Sequence, residues 1–567
     1  MASRAVLICI LCAIVTAAPA AAQPRAPERP NIVVVMTDDQ TLESMSVMPR
    51  TRQLIGDQGT TFTRSFVNFS LCCPSRATLF TGQYAHNHRV IGNAPPGGGY
   101  YKLDRSNWLP LWLQRAGYRT IHVGKFLNGY GSQDAAEVPP GWSDWHATVD
   151  PTTYRYYNYT VNENGTLRTY GSEEEAQFYS TDFLTRRANE LIRGAAPDRK
   201  PFFLSLAYLA PHSGMPREPD DLPNEATPAV APRHRNAFAA SPLPLPASFN
   251  EADVSDKPRL IRDRPLIGPA RMARIQEDYQ QRLESLLAVD EGVASVVRTL
   301  RAVGELDETL LLFTSDNGFF QGEHRVGGGK VLLYEPSIAV PLLMRGPGVP
   351  RGAMRHQLVT NADLAPTLVD AAGAQPGRVL DGRSLLGLLE DPTMEPGREL
   401  LVEGARDNSG ALEFTGLRNY RFAYIEHASG EQELYDLVRD PHQLQSLHAA
   451  PAYATTVARL SLRLAALRSC VGRTCRARPR LGIAVRRRGR DRCALNAVVR
   501  GTAAGVIQRV RFHVRGRLIE TDSRPPYRTH LQRPRRRALV RAAVRLADGR
   551  AVTLDRTIRA CRRTPDR

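Results

Sequence analysis

Between residues 30 and 350 the apolar positions come in short β-branched or aromatic runs, separated by longer stretches of helical periodicity. Most of the runs are apolar at consecutive rather than alternate positions, as in strands buried on both faces. This part of the chain therefore reads as an α/β domain around a largely buried sheet. Four runs end in reactive groups. Residues 31–36 lead into Thr37-Asp38-Asp39-Gln40, 118–123 into Gly124-Lys125, 202–208 into Pro211-His212, and 310–313 into Thr314-Ser315-Asp316-Asn317-Gly318. Open α/β sheets bind ligands beyond the carboxyl ends of their strands, so the four ends are expected to converge on one site. From Arg476 onward the pattern changes to short alternating strands at 481–485, 493–499, 510–514, 538–544 and 552–558, each with one face for a core.

The chain has 567 residues, 42% hydrophobic and 23% charged. It is too long for one ordinary core and too apolar for disorder throughout, so two or three packed units are expected. Of the formal net charge of +18, residues 471–567 hold 28 arginines, no lysine and 6 acids, which is +22 and leaves −4 on the rest. The charge belongs to a tail and gives no reason to read the chain as a specific nucleic-acid binder. Residues 1–22 combine Arg4, an apolar run at 5–17 and Ala20-Ala21-Ala22, the make-up of a secretory signal cleaved near Ala22 or Gln23. No other run approaches the roughly eighteen apolar residues of a membrane span, so a soluble protein, secreted or periplasmic/extracellular, is expected.

Beyond Cys9 and Cys12 the cysteines are the adjacent pair Cys72 and Cys73 and the late set Cys470, Cys475, Cys493 and Cys561. The late set suggests two disulfides; of the connectivities open to it, Cys470 with Cys475 and Cys493 with Cys561 is preferred.

A site built from the four strand ends would hold Asp38, Asp39, Asp316 and Asn317, hard oxygen donors that suit Ca²⁺ or Mg²⁺ rather than zinc. Lys125 and Lys330 would help to admit an anionic substrate, with His212 beside them. Any one of these acids could equally cap a turn after its strand. It is the coincidence of four strand ends that points to a site.

The segment Ser70-Leu71-Cys72-Cys73-Pro74-Ser75-Arg76-Ala77-Thr78-Leu79-Phe80-Thr81-Gly82 resembles the signature of the type I sulfatases, in which the first residue of a Cys-x-Pro-Ser-Arg run is oxidised to Cα-formylglycine. By position that residue is Cys72, with Cys73 in the variable slot. A soft thiolate is a poor partner for a hard cation, whereas a hydrated aldehyde offers one oxygen to the metal and another as nucleophile. The alternative is a buried structural cysteine or a vicinal disulfide with Cys73.

The resemblance extends over about residues 30 to 475 and includes Gly322-Glu323-His324, Lys330, Tyr334-Glu335, the run from Pro341 to Gly348, Asp363-Leu364-Ala365-Pro366-Thr367, Leu434-Tyr435-Asp436-Leu437 and Asp440-Pro441. It implies an alkaline-phosphatase-like sulfatase fold. A large mixed central sheet flanked by helices would occupy 23–385, and a smaller C-terminal antiparallel-sheet subdomain 386–475. Within the family the chain is similar to the N-acetylglucosamine-6-sulfatases and bacterial arylsulfatases, through the runs 124–130, 156–160 and 469–475.

The resemblance also implies roles. Asp38, Asp39, Asp316, Asn317 and the formylglycine at Cys72 would hold Ca²⁺, with Mg²⁺ as the alternative. One aldehyde-hydrate hydroxyl would attack sulfur with Asp316 as its proton partner, and His212 would protonate the leaving alcohol. Lys125, Lys330 and the cation would stabilise the sulfuryl oxygens, and Arg76 would orient the hydrate. Sulfate would then be eliminated and the aldehyde restored. Many sulfatases carry a His two residues after the lysine matching Lys125; here Leu127 stands there, so Asn128, His324 or another base would serve elimination. Maturation would require a formylglycine-generating enzyme. Two other functions fit the same residues: a phosphonate or phosphate ester hydrolase of the superfamily, and a non-catalytic polyanion binder.

The stretch 510–522 followed by Pro525-Pro526-Tyr527 resembles bacterial immunoglobulin-like modules, so 476–567 is expected to be an appended all-β, immunoglobulin-like module. Its charge would suit a sulfated polysaccharide, an acidic cell wall or anionic lipid; equally, the arginines would form a solvated surface that reflects genomic composition. Gly327-Gly328-Gly329-Lys330 lacks the earlier glycine and the Ser/Thr of a P-loop. His86 and His88, on the probable signature helix, read as structural or solvent-facing at least as readily as substrate contacts. Asn68, Asn158 and Asn164 sit in glycosylation sequons.

Overall fold

A computed structural model of the chain describes residues 29–171, 175–198, 200–222, 226–391, 398–476, 482–488, 491–500, 507–532, 536–546 and 551–560. The segment 1–22, Cys561 and the side chain of Cys493 lie outside the described residues.

The doubly buried runs form one mixed sheet. Its strands are β1 (Asn31–Thr37), β2 (Thr60–Phe62), β4 (Arg119–Gly124), β5 (Asp144–Thr148), β6 (Tyr159–Glu163), β7 (Thr166–Tyr170), β8 (Phe202–Ala207), β9 (Thr309–Ser315), β10 (Leu342–Arg345) and β11 (Ala353–Arg355). Their order is β11-β2-β10-β9-β1-β8-β4-β5-β6-β7, and β3 (Ser65–Phe66) pairs separately with β12 (Val359–Thr360).

Strand β1 shows why the run carries no polar alternation. Ile32, Val34 and Met36 enter a core with Trp108, Trp112 and Phe126, whereas Val33 and Val35 enter the opposite one with Val289, Val293 and Val297 of the long helix Pro269–Ala302. Helices on both faces therefore remove the sheet from water.

The central strands β9, β1, β8 and β4 are parallel and in step: Thr37 lies opposite Ser315, Met36 opposite Ala207, and Ala207 opposite Gly124. All four chains consequently leave the sheet at one edge and level with one another. Gly124 is required there. Its φ is +103°, and a Cβ would fall 2.0 Å from the Ala207 carbonyl oxygen, an approach no side chain permits.

The second sheet is antiparallel, with β13 (Leu400–Gly404), β14 (Phe414–Arg418), β15 (Phe422–His427) and β16 (Gln432–Asp436) in sequence order. The helix Ala454–Leu467 covers one face through Leu460, Leu464 and Leu467, and the disulfide Cys470–Cys475 follows it.

The tail forms two antiparallel sheets around one apolar core. Strands β17 (Gly482–Arg488), β18 (Asp491–Arg500) and β21 (Arg528–Gln532) make the first, in that order; β20 (Arg517–Asp522), β19 (Ile507–Val514), β22 (Ala538–Leu546) and β23 (Ala551–Ile558) make the second. No helix among the described residues is long and apolar enough to cross a membrane.

Candidate active site

Cys72 is the first residue of the helix Cys72–Thr81, which Leu71 enters in extended conformation. Four residues on, one helical turn away, Arg76 lies on the same face. Its Nε donates to Asp316 Oδ2 at 2.8 Å and its Nη1 to the Lys125 carbonyl at 2.9 Å, and Nη2 lies 3.5 Å from Asp38 Oδ2. A single buried guanidinium thus ties together three of the four strand ends.

Asp38 and Asp39 stand on the turn after β1, with Asp39 at φ +66°, a left-handed conformation that Asp tolerates better than most residues. Lys125 forms an ion pair with Asp38, and Lys330 one with Asp39. The two ammonium groups also flank Cys72, Lys330 Nζ at 2.9 Å from Sγ and Lys125 Nζ at 3.8 Å. Cys72 Sγ lies 3.4 Å from Asp38 Oδ1. His212 Nδ1 donates to the Ser213 carbonyl at 2.7 Å and turns Nε2 to Asp39 Oδ2, 3.7 Å away. Asn317 Nδ2 donates to Asp39 Oδ1 at 2.6 Å.

The structure therefore brings together Asp38, Asp39, Cys72, Arg76, Lys125, His212, Asp316, Asn317 and Lys330. Ligand atoms of Asp38, Asp39, Cys72 and His212 lie within 4.8 Å of one another, a grouping that includes His212 where the sequence pointed to Asp316. Asp316 adjoins that grouping, with one carboxylate oxygen bonded by Arg76 Nε and the other by the Asp39 backbone N–H at 3.1 Å.

His324 sits in a different cluster. Its Nδ1 is 2.7 Å from Glu251 Oε2, Lys257 pairs with the same carboxylate, and its ring lies 4.4 Å from that of Tyr334. Asn128 donates to the Tyr154 hydroxyl. His86 and His88 stand on a separate short helix, Ala85–His88, and not on the signature helix, which ends where Gly82 turns left-handed. His86 bonds Glu403 and the Cys470 carbonyl, and His88 bonds Thr78, so both are structural. Asn68 is fully buried.

Electrostatics follow from burial. Burial, reinforced by Asp38, pushes the Cys72 thiol up to about 12, so unmodified Cys72 is a neutral thiol at physiological pH and a weak metal ligand and nucleophile. Against burial, Lys125 and then His212 hold the Asp38 carboxyl well below its usual range. Burial and then Asp38 push Asp316 up to about 6, and burial lowers His212 to about 4.

A divalent cation fits this donor set. Asp38, Asp39 and Asp316 provide hard carboxylate oxygens, and Asn317 Oδ1 is a buried amide oxygen without a hydrogen-bond partner among the described residues, the group a Ca²⁺ or Mg²⁺ ion would satisfy.

Two contributors escaped the sequence reading. Tyr154 places its ring 4.6 Å from Lys125 Nζ and 5.1 Å from the His212 ring. Arg282, midway along the long helix, bonds the Asp39 carbonyl and, at 3.1 Å, the Pro211 carbonyl. Neither carries a local motif. Arg282 announces itself only as a cation on the core-facing side of a helix.

A model of the sulfatase family matches residues 30–374, and a model of the N-sulphoglucosamine sulphohydrolase C-terminal region matches residues 322–470. The N-acetylglucosamine-6-sulfatase of Homo sapiens is 34% identical over 495 residues, covering 79% of this chain and 86% of that protein. A Caenorhabditis elegans extracellular sulfatase Sulf-1 homolog is 37% identical over 365 residues, 63% of this chain; the chain spans about half (49%) of that relative's length. A solved structure of a protein in complex with its substrate D-glucosamine-2-N,6-O-disulfate superposes with a TM-score of 0.63 at 24% identity, covering 77% of this chain and 97% of the other, which establishes the shared fold. With both the matched span and the identity to full-length relatives in view, the chain belongs to the sulfatase family and is a sulfuric ester hydrolase.

Proposed function

We propose that the protein hydrolyses 6-O-sulfate esters of N-acetylglucosamine in sulfated glycans, outside the cytoplasm, after a formylglycine-generating enzyme has oxidised Cys72 and with Ca²⁺ held by Asp38, Asp39, Asp316 and Asn317. The observation that carries this reading is the pair of ammonium groups, Lys125 and Lys330, on either side of the Cys72 sulfur. The N-acetylglucosamine-6-sulfatase relatives support the sugar and the position. The segment 1–22 supports export.

When present, the modified side chain and the cation supply the nucleophilic oxygen and a Lewis acid for the sulfuryl group. The remaining work falls to this chain's side chains. Lys125 and Lys330 bind the sulfuryl oxygens and offset the charge that grows on them. Arg76 fixes Asp316, whose carboxylate takes the proton of the attacking group. His212, whose Nδ1–H is donated to the Ser213 carbonyl, turns Nε2 toward the leaving oxygen and protonates it in the imidazolium form, which an anionic substrate beside the ring favours. Tyr154 closes the site over Lys125 and His212 and limits water. His324, braced by Glu251, positions the 321–327 turn. In the net reaction the sulfur–oxygen bond to the sugar breaks, the sugar leaves as an alcohol and water supplies the fourth sulfate oxygen.

For the tail we propose an immunoglobulin-like sandwich. Its three- and four-stranded antiparallel sheets and the Tyr527 hydroxyl bonded to the Ile507 carbonyl support that assignment.

The test is sulfate release by protein with a confirmed aldehyde at Cys72, from N-acetylglucosamine 6-sulfate, positional isomers, aryl sulfates, and phosphate and phosphonate esters. Preference for the 6-sulfate is expected. Preference for another position overturns the substrate, and preference for phosphorus esters overturns the chemistry.

A further inference from the structure

Both sheets of the tail carry arginines in their strands, but in the four-stranded sheet the register sets two of them face to face. In the four-stranded sheet, β19 and β22 alternate inward and outward. Val510, Phe512, Val540, Ala542 and Val544 fill the core, which leaves Arg509, Arg511 and His513 of β19 and Arg541 and Arg545 of β22 on the outer face. The register sets Arg509 directly opposite Arg545 and His513 opposite Arg541, while Arg511 faces Ala543 on one side and Thr521 on the other.

Only Arg541 finds an acid, Asp555 of β23, at 2.9 Å. Arg509, Arg511 and Arg545 pair with no carboxylate among the described residues. Among the residues of the three-stranded sheet whose side chains are described, the central strand presents Ala494, Asn496 and Val498 outward, with Arg486 opposite Asn496 and Arg528 opposite Val498, so no two of these arginines face each other.

Two like charges directly opposite on neighbouring strands destabilise a sheet. Such a pair on the two inner strands, with no ion pair to an acid among the described residues, costs stability and contributes nothing to the core. A bound polyanion offsets that cost. Along β19 the guanidinium groups repeat about every 7 Å, and the neighbouring strand lies about 5 Å away, so the face is a grid of planar forks that match sulfate oxygens bidentately. The small flanks of Arg511, Ala543 and Thr521, leave it open from above.

We infer that this face, built on Arg509, Arg511, Arg541 and Arg545, docks a sulfated polysaccharide, the polymer whose sulfate esters the first domain hydrolyses; the choice of polymer rests on the proposed function. Docking holds the chain at the enzyme between turnovers and lowers the apparent KM for polymer while leaving kcat untouched.

The experiment uses the full chain. Binding to immobilised dextran sulfate is read as the salt concentration at elution, for the native protein, for Arg511→Thr with Arg545→Thr, and for the control Arg486→Thr with Arg528→Thr, which removes the same charge from the other sheet. Each protein is checked for an unchanged melting temperature, and an Arg-to-Lys pair at 511 and 545 tests whether charge alone restores binding. The face pair is expected to elute at lower salt and to weaken binding about tenfold or more, with the control near native, the Lys pair intermediate and hydrolysis of a monosaccharide sulfate unchanged in all. Equal losses in both pairs, or none, overturn the proposal. So does tighter binding to anionic phospholipid vesicles or carboxymethyl dextran than to dextran sulfate. Retained, face-dependent binding in a protein that releases no sulfate would instead sink the proposed substrate and leave the docking face standing.

Discussion

Cys72 is held as a neutral thiol by burial and by Asp38, so any chemistry at this position depends on its conversion. Cys72→Ala is expected to abolish sulfate release with little change in melting temperature, while Cys73→Ala, whose thiol is buried elsewhere, keeps most activity; peptide mass analysis should find the aldehyde at 72 and a thiol at 73. Lys125→Ala and Lys330→Ala each remove a cation beside the sulfuryl position and should lower kcat/KM by about 10²-fold. His212→Ala should separate substrates by leaving group. An aryl sulfate departs without protonation, so its turnover should fall far less than that of a sugar sulfate, as paired steady-state assays would show. Asp38, Lys125 and Asp316 were legible in the sequence because each immediately follows a doubly buried strand, and His212 because it stands five residues beyond another. Tyr154 and Arg282 were not: Tyr154 lies in a short turn between strands with no motif around it, and Arg282 reaches Asp39 from 243 residues away on a helix whose register no motif fixes.

At the level of elements, the short helix Ala85–His88, which follows the signature helix, is tied to the second sheet. Glu403, at the end of β13, bonds His86 at 2.7 Å and the Ala85 backbone N–H at 2.9 Å, and so fastens the segment behind Cys72 to the C-terminal subdomain. Burial alone would lower His86, but Glu403 outweighs it and lifts the imidazole from 6.5 to about 9. The folded state thus binds this proton more tightly than the unfolded chain. Its contribution is fully present below pH 6.5 and is lost as pH rises through about 9. The melting temperature should decline across that window, and the decline should be smaller in His86→Gln. Among the strands, alternation in the tail exposed β17, β18, β19, β22 and β23. It missed β21, whose Arg528, His530 and Gln532 all face water and leave only Thr529 and Leu531 as apolar or half-polar signals.

For the whole molecule, the level strand ends concentrate three carboxylates and an unpartnered amide oxygen at one edge of a ten-stranded sheet. A cation bound there links segments far apart in sequence. Chelation should lower the melting temperature as well as activity, and Ca²⁺ at about 100 times its dissociation constant should return about 2.7 kcal/mol; calorimetry with and without the ion reads this apart from turnover. The overall architecture was legible because periodicity changes from continuous to alternating near Arg476. The sheet order was not, because β2, β10 and β11 are short and pair across long intervals.

Timing follows from one number. Cys72 is 1% exposed, sealed beneath two lysines and the first turn of its helix. A second enzyme cannot reach that atom after the chain has collapsed around it. The conversion proposed for Cys72 would therefore fall in the interval between synthesis and burial, and a molecule that folded first would keep its thiol.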